Sequence, residues 1–183
     1  AHSERTPDAE RAAGQAMLGL QSWIALPADK EEIAPDFQHY AADDLPVVRD
    51  TGMTARIVAG SALGKTSPVA MVSPWFYVEA TLAAARGLPL DPDHEARAVY
   101  LVDGAVTIAG DAFAAPALLI FRPGDRITVT ATVDAKLMLL GGTALEGPRH
   151  IWWNFVSSRR ERIEQAKADW AAGRFPPVPG ETE

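Results

Sequence analysis

The chain has 183 residues, 48% of them hydrophobic and 22% charged, and carries a formal net charge of −7. That balance suits a globular protein with a real core, and its acidity speaks against direct nucleic-acid binding, which depends on neutralising phosphates. Cysteine is absent, which excludes disulfide scaffolds, thiolate metal sites and cysteine nucleophiles; no apolar run approaches the roughly 18–20 residues that span a bilayer, so a cytoplasmic protein with no membrane role is expected.

The chain opens Ala1-His2-Ser3-Glu4-Arg5-Thr6-Pro7. In a strand, residues two apart share a face, so His2 and Glu4 would project together. An imidazole and a carboxylate so placed can supply half of a four-ligand metal site. Pro7 would end the ladder. Residues 5–16 are polar and Ala-rich and read as a connection, while Met17 to Leu26 alternates in the manner of a strand. Residues 27–50, with Pro27, Pro35 and Pro46, read as an irregular crossing.

From residue 55 onward, strands are expected at 55–59, 75–82, 97–102, 106–109, 117–121, 126–133 and 136–140. Turn signals divide them: Ser73-Pro74, Asp103-Gly104, Gly110-Asp111, Pro123-Gly124-Asp125 and Gly141-Gly142. In 126–133, Ile127, Val129, Ala131 and Val133 fall on one face and three threonines on the other. Asp103-Gly104 predicts a tight hairpin. Many short strands at close spacing argue for a sandwich or barrel. The period then changes. Ser158-Arg159-Arg160-Glu161 has the form of a capping box, Ile163, Ala166 and Trp170 follow at helical spacing, and Gly173 is a plausible terminator, so a closing helix is expected over 159–172.

Residues 59–66 (AGSALGKT) come close to a phosphate-binding loop, with alanine in place of the first glycine. That chemistry needs a helix starting at Lys65, so that backbone N–H groups meet the phosphates. Pro68, Pro74 and a run of β-formers follow instead. Nucleotide binding is not expected.

The other histidines do not complete a metal site by any visible spacing. His39 lies in the irregular crossing, His94 in an acidic loop, and His150 before an aromatic run where a structural histidine is expected.

Several stretches together resemble one family. His2-Ser3-Glu4 followed by Arg5-Thr6-Pro7 resembles the end of the metal-binding motif of pirins, members of the cupin superfamily. The stretch from Gly19 to Pro27 (GLQSWIALP), Phe37-Gln38-His39-Tyr40, Arg56-Ile57-Val58-Ala59-Gly60, Ser67-Pro68-Val69, and Asn154-Phe155-Val156-Ser157-Ser158 with the helix ending at Phe175 are similar to further pirin segments in the same order.

The resemblance implies an all-β cupin fold, a double-stranded β-helix or jelly-roll barrel, with a C-terminal α-helix. It implies a bicupin whose first barrel holds an iron-type metal through three histidines and one glutamate. His2 and Glu4 match two of those ligands; the other two belong to a His-x-His strand that this sequence lacks. On that expectation 1–27 are the final strands of a truncated N-terminal cupin, 28–44 the interdomain crossing, 45–156 the C-terminal barrel, and 157–183 a helix and Pro-rich tail. The second barrel offers only His94, then Ala96 and Arg97, where a metal cupin has its ligands, so it is expected to be metal-free. For the intact protein the resemblance implies Fe(II), with other divalent metals as substitutes, and quercetin 2,3-dioxygenase activity on a flavonol-like substrate, with Glu4 as both ligand and catalytic base. The alternative it implies is a regulatory protein of transcription-cofactor type that binds a protein partner without turnover. The fragment alone is expected to be inactive, because two ligands hold iron poorly.

Overall fold

Period-two alternation governs the larger of two units in the computed structural model, which describes residues 5–14, 16–92 and 94–177. This unit comprises residues 32–146; the other combines the segment up to Glu31 with the chain from Gly147 onward.

In the larger unit the strands are β1 (Val47–Asp50), β2 (Met53–Ala59), β3 (Ser61–Ala62), β4 (Lys65–Thr66), β5 (Trp75–Leu82), β6 (Gly87–Leu90), β7 (Ala96–Asp103), β8 (Ala105–Ile108), β9 (Asp111–Ala114), β10 (Ala117–Phe121), β11 (Ile127–Ala131) and β12 (Ala135–Gly142). They build a six-stranded sheet in the order β1-β2-β5-β12-β7-β10 and a four-stranded sheet in the order β6-β11-β8-β9. All pairings are antiparallel. Ile57, Val78, Leu82, Val99, Leu101, Leu137 and Leu139 from the first sheet pack with Leu88, Leu90, Val106, Ile108 and Val129 from the second in one buried core. On the outer face of the six-stranded sheet, Glu79 accepts from Arg56 at 2.6 Å and pairs with Lys136 at 3.1 Å.

The threonine-rich strand follows its expected alternation, with Val129 and Ala131 buried and Thr128 exposed. It ends at Ala131, so Val133 lies beyond it and is exposed. Two glycine readings are corrected. Asp103-Gly104 does not close a hairpin: β7 pairs with β12 and β10, β8 with β11 and β9, and the dipeptide carries the chain from one sheet to the other. Gly104 has φ +85°, and a Cβ there would stand 2.2 Å from the Asp134 carbonyl oxygen. Gly141-Gly142 is not a turn but the end of β12. A Cβ on Gly141 would meet the Ala96 carbonyl oxygen at 2.3 Å and the Phe76 ring at 2.6 Å. These glycines serve close approach rather than chain reversal.

The phosphate-loop look-alike is a hairpin. β3 and β4 pair across Leu63 and Gly64, both at positive φ, the geometry of a two-residue β-turn. The strand that begins at Lys65 leaves no helix N-terminus for a phosphate.

In the smaller unit, α1 (Asp8–Ala13) lies where a plain connection was expected. Its Ala-rich composition favours helix. The strand expected over Met17–Leu26 is not in a ladder with any described segment. Alternation alone does not make a strand; backbone N–H and C=O groups need a neighbouring chain. Met17 and Leu18 are 86% and 73% exposed. A hairpin of β13 (His150–Trp152) and β14 (Phe155–Ser157), with no forewarning in the sequence, precedes α2 (Arg160–Ala171), which packs on it. Ile163 and Ala166 form the buried face of that helix.

Replacing Gly141 by valine, a better strand former by propensity, is expected to destabilise the protein by about 1–3 kcal/mol or more through overpacking. Chemical denaturation monitored by circular dichroism checks this; an unchanged midpoint would refute the close-approach account.

Candidate functional site

His2 and Glu4, the expected metal donors, lie outside the described residues. Among the described residues no group of three or more His, Asp or Glu side chains is placed to hold a metal.

The remaining histidines are dispersed. His39 is exposed on the crossing. His150 sits in β13 opposite Ser157. His94 lies at one end of the larger unit's barrel, its ring centroid 4.6 Å from that of Phe76. In the same end layer, Gly141 is paired with Phe76 on one side and with Arg97 on the other. Arg97 shares the inward face of β7 with Val99 and Leu101 and is 2% exposed. Its Nη2 donates to the Arg122 carbonyl at 3.0 Å and its Nη1, more weakly, to that of Asp91 at 3.5 Å. The guanidinium therefore fastens two loops across the barrel end. At the Phe76 and His94 side of this end remains a cavity of about 30 Å³ lined by Phe76, Val78, Leu90, His94 and Leu139. Small-molecule sites run from roughly 300 Å³ upward, so this space admits little more than a water molecule. This end of the barrel is packed with side chains.

Each unit also carries an open cleft; that of the larger unit, about 510 Å³ beside Arg49, Asp50, Asp103, Asp134 and Lys136, has no histidine in its lining. That of the smaller unit, about 490 Å³, is lined by Trp23, Ile24, Leu26, Arg149, Asn154 and Val156, with Glu31 at its edge. Arg149 lies 3.0 Å from Glu31 through its Nε and donates from Nη2 to the Leu26 carbonyl at 2.9 Å. Glu31 also accepts from the Ser157 hydroxyl at 2.9 Å, the Ser158 amide at 2.8 Å and the Ser158 hydroxyl at 3.0 Å. Both charged side chains are about nine-tenths buried. Burial alone would raise the Glu31 pKa, but the serine hydrogen bonds and the Arg149 charge outweigh it and hold the carboxyl below its usual range. With these donors the carboxylate is a structural tie, poorly suited to serve as a general base.

This network corrects the expected helix cap. Ser158 gives its hydroxyl to Glu31, and the residue preceding the helix is Arg159, whose amide donates to the Ser157 hydroxyl at 3.1 Å. Neither Glu31 nor Arg149 carried a signal in the sequence. The partners of Glu31 lie more than a hundred residues away from it, and the only local cue was a Ser-Ser pair before a helix.

Beyond the hairpin is an aromatic cluster. Trp152 stacks on Phe155 at 6.0 Å, Trp153 meets Trp170 edge-on at 4.9 Å, and Phe175 stacks on Phe155 at 5.5 Å. The Lys167 ammonium stands 5.2 Å from the Trp152 ring centroid, a cation–π contact. Trp153 takes φ +47° at the hairpin turn, an unusual conformation for so bulky a residue.

The pirin C-terminal cupin domain matches residues 77–176. The chain belongs to the pirin family. A pirin-like protein of Caulobacter vibrioides is 42% identical over 175 residues, which are 95% of this chain and 60% of that protein. Two solved quercetin 2,3-dioxygenases from Acinetobacter baumannii are similar in structure. One has TM-score 0.79 at 22% identity over 85% of this chain and 56% of its own. The other has TM-score 0.77 at 28% identity, over 88% and 55%. The pirin chain described here thus spans a little over half the length of these relatives, and its fold is an all-β cupin with a C-terminal helix.

Changing Glu31 to glutamine is expected to cost about 1–3 kcal/mol at neutral pH, the penalty for leaving buried donors short of their charged partner. Because the folded pKa of Glu31 lies below its unfolded value, its stabilisation is complete above the unfolded pKa of about 4.3 and is lost as pH falls through the folded pKa. Calorimetric melting temperatures of the two proteins should therefore differ at pH 7 and converge in acid. A constant gap down to pH 3 would contradict the assignment.

Proposed function

We propose that this chain is part of a pirin-type metal cupin that, as an intact two-barrel protein, acts on flavonol-like substrates with dioxygen. The observation that carries the reading is the pirin-like His2-Ser3-Glu4 motif in a chain 28% identical to a solved quercetin 2,3-dioxygenase. The packed end of the larger unit's barrel does not fit a metal, since Arg97 and Phe76 occupy that layer. The donors that do fit are His2 and Glu4: a neutral imidazole nitrogen and a carboxylate oxygen suit Fe(II) and several other divalent metals. Two further donors would come from the first barrel. When bound, the metal would supply Lewis acidity and dioxygen chemistry. Glu4 would take the proton from the flavonol hydroxyl, as a carboxylate in hydrogen-bond reach can. His2 would serve as a neutral donor.

A second reading, a regulatory protein that docks a protein partner without turnover, draws on the half-exposed Trp152, Trp153 and Trp170, since aromatic residues are enriched at interfaces.

Iron-loaded protein carrying both barrels is expected to consume dioxygen when given quercetin, and Glu4→Gln to lower kcat by about 10²-fold or more, as loss of a general base does. The 183-residue chain alone is expected to retain iron substoichiometrically on metal analysis. Absence of uptake in fully metallated two-barrel protein would sink the enzymatic reading and leave the regulatory one.

A further inference from the structure

The two larger sheets have four edges, and three of them carry residues that discourage pairing with another chain. β1 bears Arg49 and Asp50, β6 bears Pro89, and β9 begins with Asp111. Charges and prolines are the usual guards of an edge strand. The fourth edge, β10, reads Ala117-Leu118-Leu119-Ile120-Phe121, with neither charge nor proline. Among the described residues it is laddered to β7 alone. Ala117, Leu119 and Phe121 lean on the core, while Leu118 and Ile120 point outward at 56% and 77% exposure.

We propose that β10 is a self-association edge, and that its occupant is β10 of a second copy of this chain, paired antiparallel about a two-fold axis through Leu119. The sequence of the strand is self-complementary in that register. Leu118 comes opposite Ile120 of the second copy on the outer face, joining two apolar pairs. On the inner face the small Ala117 comes opposite the large Phe121, so volumes compensate. A two-fold contact requires this kind of matching, because each patch must fit itself. Charge does not oppose this edge: two chains of net charge −7 repel overall, but within the β10 ladder no charges meet. Tyr100 and Ala98, opposite Leu118 and Ile120 on β7, continue the uncharged surface inward from the edge. A contact of five residues per chain is smaller than a standard stable interface, so the association is reversible and concentration-dependent.

Sedimentation velocity on the full 183-residue chain over a concentration series tests this. Average mass should rise toward twice the monomer, and Ile120→Lys should raise the dissociation constant by about tenfold or more with an unchanged circular dichroism spectrum. Leu63→Lys, an exposed site outside both larger sheets, should leave association unaltered. Register is read separately. Since the chain has no cysteine, a mixture of Leu118→Cys and Ile120→Cys proteins should form an intermolecular disulfide faster than either variant alone, as directly opposed residues stand closer than diagonal ones. A monomer at every concentration overturns the proposal. So does association that survives Ile120→Lys, or cross-linking that is equally fast in the single variants and the mixture.

Discussion

Strand β12 is laddered on both sides, to β5 along Ala135–Gly142 and to β7 along Lys136–Gly142, and the larger unit is arranged around the closeness that its last residues permit. At Leu137 and Leu139 the strand contributes side chains to the core. At Gly141 it contributes none, and the Phe76 ring lies where one would be. That substitution of a neighbour's ring for an own side chain sets the composition of the end layer. Arg97 fills the other flank, His94 packs against Phe76 with its ring tilted, and the remaining space at this end shrinks to the size of a solvent molecule. The small volume at this end of the barrel is thus a result of packing among the described residues.

Periodicity in the sequence was informative wherever strands had partners. The alternation around Val129 and the helical spacing of Ile163 and Ala166 translated directly into buried faces. Glycines misled, because a glycine needed for close backbone approach looks the same in sequence as one needed for a turn. Gly104 and Gly141 belong to the first kind; Gly64, at the tip of the β3–β4 hairpin, to the second. The Met17–Leu26 stretch misled for another reason: its pattern is that of a strand, but a ladder is a property of two chains. The motif resemblance located the family correctly, whereas the electrostatic tie at Glu31 was invisible. A carboxylate whose donors all lie more than a hundred residues further along the chain leaves no local spacing to read.

That tie has a specific economy. The segment ending at Glu31 and the turn leading into α2 each have backbone and side-chain donors to satisfy, and one buried carboxylate answers Ser157, Ser158 and Arg149 together. A buried charge is tolerated when its lone pairs are fully engaged. The same engagement draws Ser158 away from the capping role its position suggests, so the helix begins from a docked turn rather than from its own cap.

The aromatic cluster behind that turn has an experimental consequence. Of the five tryptophans, Trp23, Trp152, Trp153 and Trp170 lie in the smaller unit and only Trp75 in the larger, while among the described residues all but two of the strands lie in the larger. Indole emission and the far-ultraviolet β signal are consequently almost separate optical channels, one for each unit. Two-state unfolding requires such probes to coincide; in this chain their coincidence or divergence reads out, without any label, whether the two units melt as one cooperative body.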